Sequence, residues 1–74
     1  MEAEIRNLIN LIRQAAHYER DNQIILHDLA EDIKNHPDNH ELIMQADEHR
    51  MLIAEADQTI EKHTRRLLWI VGSE

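Results

Sequence analysis

The chain has one proline, Pro37, and it lies at the midpoint between two long stretches that each have the makings of a single helix. Proline lacks a backbone N–H and pushes the residue before it out of helical dihedrals, so a helix arriving from the N-terminal side should stop near Asn35 or His36. Downstream, Asp38 followed by Glu41 makes a capping-box-like pattern. His36 as the cap with Pro37 as the first helical residue is an equally good start. Either way, a second helix begins between Pro37 and His40. The one glycine, Gly72, sits close to the C-terminal end, so nothing else interrupts the pattern so clearly. A short connection between long helices favours antiparallel neighbours, which predicts a helical hairpin.

From Glu2 to Lys34, apolar residues recur at Ile5, Leu8, Ile12, Ala15, Leu26, Leu29 and Ile33, a spacing of three and four. The same frame passes through Glu19, Asn22 and Gln23 without a skip, so one helix over about residues 2–35 is the simplest account. A three-helix arrangement with a break near Asp21-Asn22 is the alternative. The second helix is expected over about residues 39–71, with Leu42, His49, Ala56, His63 and Ile70 along its apolar stripe and Gly72-Ser73 at its end. A turn centred on Pro37-Asp38 would set Ile33 against Leu42, Leu26 against His49, Glu19 against Ala56, Ile12 against His63 and Ile5 against Ile70. The expected fold is all-α, with residues 1–74 as a single hairpin domain.

Such a hairpin is short of core. The chain has 74 residues, no phenylalanine, one tryptophan and one tyrosine, so whatever it buries is aliphatic and thin. A second seam at Leu11, Tyr18 and Ile25, spaced by sevens, lies beside the first. Together they are wider than one partner helix can cover. A homodimer that closes into a four-helix bundle follows as an expectation.

Charge and composition narrow the function. There is no cysteine, which excludes disulfides and thiol chemistry and is compatible with a reducing cytoplasm. The longest apolar run is the five residues Leu67 to Val71, too short for a membrane span or a secretory signal, so a soluble cytoplasmic protein is expected. The net charge is −7, and residues 28–61 hold ten acids against only Lys34 and Arg50. That distribution disfavours direct nucleic-acid binding. Ser73 is the only serine and no phosphate-cradling glycine loop exists, so the chain does not read as an enzyme and implies no cofactor.

Three surface constellations remain. Met44 and Met51 fall on the back of the second helix, with Trp69 further along the same side and Asp47, Glu48 and Glu55 at the border. Exposed methionines are adaptable contacts, so this acidic-apolar patch suits docking on a basic surface of a protein partner. The expectation is a small regulator, adaptor or inhibitor, one form of which would occupy the basic groove of a nucleic-acid enzyme. The same face could instead serve the dimer. A second reading gathers His27, Glu31, Glu48 and His49 around a divalent transition metal, although the Glu-x-x-His pairs of di-iron bundles are absent. A third, by analogy of architecture with small RNA-binding hairpin dimers of the Rop type, uses the heptad-spaced Arg6, Arg13 and Arg20. Inside the stripe itself, Glu19, Asn22 and Gln23 with His49 form a polar band of the kind that fixes register in helical bundles.

Overall fold

The turn at Pro37 fixes the geometry of everything else. In the computed structural model, which describes residues 1–73, helix α1 spans Glu2–Asn35 and helix α2 spans His40–Gly72. The two pack as an antiparallel hairpin 56 Å long and 14 Å by 13 Å across. Helix α1 closes with the His36 N–H donating to the carbonyls of Asp32 at 2.9 Å and Ile33 at 3.2 Å. The Asn39 N–H then donates to the His36 carbonyl at 3.1 Å, which makes residues 36–39 a β-turn with proline at its favoured second position.

The cap of α2 is neither Asp38 nor His36. Asp38 is held inside the turn, and the Asn39 Oδ1 accepts from the N–H groups of Glu41 at 3.1 Å and Leu42 at 3.4 Å. Asparagine is short enough to reach both donors from an extended backbone, a cap that contributes about 1 kcal/mol. At the other end α2 runs through Gly72, whose φ is not positive, so the glycine does not act as a left-handed cap. Ser73 finishes the helix instead: its N–H donates to the Trp69 and Ile70 carbonyls at 3.1 and 3.3 Å, and its Oγ to the Trp69 carbonyl at 2.7 Å.

Helix α1 is continuous through Asp21-Asn22, so the three-helix alternative does not occur. Asn22 sits within it without a break, its Nδ2 donating to the Tyr18 carbonyl one turn back at 2.8 Å and its Oδ1 facing His49 across the seam.

The buried positions are Leu8, Asn22 and Leu29 on α1 and Ala46, Ala56 and Ile70 on α2. The residues that a turn centred on Pro37-Asp38 pairs, Ile33 with Leu42, Leu26 with His49, Glu19 with Ala56, Ile12 with His63 and Ile5 with Ile70, all lie buried or half-buried along the seam. Across it His49 bonds Asn22, one turn from Leu26, Glu19 lies beside Asp57, and Arg66 reaches Glu4. Among the described residues, no helix is long and apolar enough to cross a membrane.

Candidate interaction surfaces

The middle of the seam is polar by construction. Asn22 is 4% exposed, and its Oδ1 lies 2.7 Å from the Nδ1 of half-buried His49. Because the Asn22 amide nitrogen is committed to the Tyr18 carbonyl, its oxygen is the acceptor and the His49 Nδ1 must carry the proton. Each partner therefore satisfies the other, and shifting either helix by one turn would break the bond. The pair locates the register.

One flank of the seam is charged. Glu19 takes a hydrogen bond from Gln23 at 3.3 Å and shares a second one with Asp57 of α2. That bond to Asp57, followed by partial burial and then by the Asp57 charge, raises the Glu19 carboxyl above its ordinary value of 4.5. One heptad before Asp57, Arg50 is paired with Asp47 at 2.9 Å.

The opposite flank is apolar. Leu11, Gln14, Ala15 and Tyr18 of α1 line a groove of about 330 Å³ with Glu55, Ala56 and Thr59 of α2. Ile25 continues the Leu11 and Tyr18 column one heptad on, and Leu52 continues the Thr59 column one heptad back. Tyr18 is 49% exposed and Ile25 43%, while Leu11 and Leu52 are half-buried. The ion pair of Arg66 with Glu4, at 2.9 Å, joins the two columns near the termini.

The outer face of α2 carries the acidic-apolar patch. Met44 and Met51 stand out from it at 70% and 65% exposure. Among the described residues, Glu48 and Glu55 stand between and beyond them without an ion pair, whereas Asp47 is held by Arg50. Trp69, also exposed, lies under the Arg66 guanidinium at 4.8 Å. It follows Met51 by five full turns on the same side, about 27 Å along the helix. The structure thus gathers Met44, Asp47, Glu48, Met51 and Glu55 into one stretch and sets Trp69 apart from it.

His27, Glu31, Glu48 and His49 do not converge. Among the described residues, no three histidine or carboxylate side chains form a metal-binding group. His49 turns to Asn22, and His27, Glu31 and Glu48 all face solvent. Arg6, Arg13 and Arg20 are exposed along α1, with Arg6 at 3.7 Å from Glu2. Sequence reasoning missed Asp57, Leu52 and the Glu4–Arg66 contact, since each acquires its meaning only from the cross-helix register. The signal for Leu52 was present in its heptad spacing from Thr59 and Arg66. No known family, curated protein or solved structure matches this chain.

Proposed function

We propose that this protein is a small, acidic, non-enzymatic interaction module that works as a homodimer in the cytoplasm and docks a basic patch of a protein partner. Met44, Asp47, Glu48, Met51 and Glu55 make the contact, with Trp69 engaged by an extended partner. The observation that carries this reading is the pair of methionines standing outward at 70% and 65% exposure from helix α2, with the exposed carboxylates of Glu48 and Glu55 beside them. Flexible thioethers supply apolar contact to an irregular surface, while Glu48 and Glu55 steer and orient a positively charged one. Where the partner is a nucleic-acid enzyme, the acidic face occupies its phosphate-binding groove, and the protein is an inhibitor.

The test compares affinity capture by the wild-type protein with capture by a Met44→Ala/Glu48→Gln/Met51→Ala variant, followed by titration of the captured complex in rising salt. The reading expects the variant to lose the partner and the wild-type affinity to fall steeply with ionic strength. Identical capture by both proteins, or an affinity indifferent to salt, would contradict it.

A further inference from the structure

We infer that the apolar flank of Leu11, Tyr18, Ile25 and Leu52 is covered by a second copy of this chain whose turn lies at the opposite end of the bundle. The inference rests on the reading of the protein as a dimer and goes beyond it by assigning the face, the orientation and the contacts. The outer methionine face is left to the partner, with Glu55 on the edge that the two surfaces share.

Area is the first argument. The hairpin exposes 5812 Å². A compact monomer of 8.8 kDa would expose about 4,800 Å², so roughly 1,000 Å² of this surface is in excess. A face 56 Å long and 14 Å wide has a footprint of roughly 800 Å², the share that each partner contributes to a stable interface of standard size. One face-to-face contact along the full hairpin therefore accounts for the excess.

Continuity selects the face. On the charged flank, exposed Ile9 and Ile43 are separated by the Glu19, Gln23, Arg50 and Asp57 group, which docking would have to strip of water. On the apolar flank, the Leu11, Tyr18 and Ile25 column runs unbroken beside Leu52 and holds the groove. Met44 and Met51 project from α2 alone, on its outer face, so a copy seated there would leave that groove uncovered.

Charge selects the orientation. Residues 19–52, the turn half, hold nine acids against Arg20, Lys34 and Arg50, while the rest of the chain holds six acids and five bases. Turns at the same end would stack two strongly acidic halves. Turns at opposite ends set each acidic half over a nearly neutral one and bring Lys62 of each copy to the level of Glu41 of the other. A two-fold axis near Tyr18 then delivers Ile25 of each copy to the groove beside Leu11 of the other, and Tyr18 meets its own counterpart. The contact is isologous, as a closed dimer requires.

The experiment is sedimentation equilibrium on wild type, Tyr18→Glu/Ile25→Glu and Met44→Glu/Met51→Glu, with disulfide trapping alongside. Both charged pairs sit at exposed positions, and the native chain has no cysteine to confuse the trapping. The wild type should run at twice 8.8 kDa. The flank variant should dissociate at least roughly a hundredfold more readily, as expected for charging two central contacts. The methionine variant should remain a dimer. Mixed Leu11→Cys and Ile25→Cys proteins should cross-link to each other under mild oxidation, and this readout stands even if the flank variant fails to fold. Trapping of Leu11→Cys with Thr59→Cys instead would overturn the orientation. A dimer that survives the flank charges would overturn the face, and one dissolved by the methionine charges would overturn both this assignment and the proposed partner surface. A wild-type monomer would overturn the dimer alone, since partner capture is measured separately.

Discussion

The two flanks of the hairpin seam are built from the same pair of helices and finished in opposite ways. On one, Glu19 accepts from Gln23 of its own helix and faces Asp57 of α2, polar groups that water can reach. On the other, Leu11, Tyr18, Ile25 and Leu52 leave an apolar column and a groove facing outward. Between them run the few buried side chains that both flanks share. The difference teaches where a hairpin of this size leaves apolar surface: one flank is closed with polar groups, and the other, to which we assign a second copy, keeps its apolar side chains outward.

The largest expected effect comes from breaking what the flanks share. Among the described residues, Ile70 is the one large side chain wholly removed from solvent. Ile70→Ala should cost about 2–5 kcal/mol, seen as loss of most of the cooperative thermal transition followed by circular dichroism. Met44→Ala on the outer face should stay within about 0.5 kcal/mol of wild type in the same experiment. Equal losses at the two positions would mean that the seam is not where stability resides.

The central pair gives the next effect, and with the opposite sign. Replacing both Asn22 and His49 by leucine removes two desolvated polar groups together, so the variant should melt higher by about 1–3 kcal/mol equivalent. It should also lose its single register, which mixed cysteine trapping would reveal as several cross-linked pairs in place of one. A variant that melts lower and still traps one pair would show that the hydrogen bond stabilises the fold without specifying it.

The charged flank is sharpened by pH. The folded Glu19 carboxyl binds its proton more tightly than the unfolded one, so its contribution to stability is fully present below 4.5 and is lost as pH rises from there through the raised folded value. Asp57→Asn removes the hydrogen-bonding carboxylate that causes this. At neutral pH the variant should therefore melt above the wild type, and the gap should close as pH falls toward 4.5. A gap that is constant or that widens on acidification would contradict the carboxylate pairing. The smallest effect is expected at the Glu4–Arg66 ion pair, whose side chains are 42% and 49% exposed. Arg66→Met should cost roughly 0.2–1 kcal/mol in a urea titration, and less in high salt.

Much of this architecture was legible in the sequence, because Pro37 and the three-four spacing of apolar residues are local signals that later packing had no reason to override. The helix ends fell within a residue of expectation at Asn35 and Gly72. The start of α2 was less legible: the pattern pointed to Asp38 or His36 as the cap, and the β-turn takes up both, leaving the cap to Asn39. The individual cross-seam bonds were not legible. Periodicity and the turn identify which residues line the seam but not which polar side chains join across it, and here Asn22 takes His49. That bond turns His49 away from His27 and Glu31, and the approach of Glu19 to Asp57 is one that no local pattern announces.

The central claim is that this hairpin is half of a four-helix bundle, and the most direct measurement is the mass of the wild-type protein by sedimentation equilibrium from micromolar to millimolar concentration. The account predicts a species of twice 8.8 kDa throughout that range, with helicity unchanged on dilution. A stable, fully helical protein of 8.8 kDa at every concentration would contradict it, because the apolar flank would then be a surface that the chain tolerates without covering.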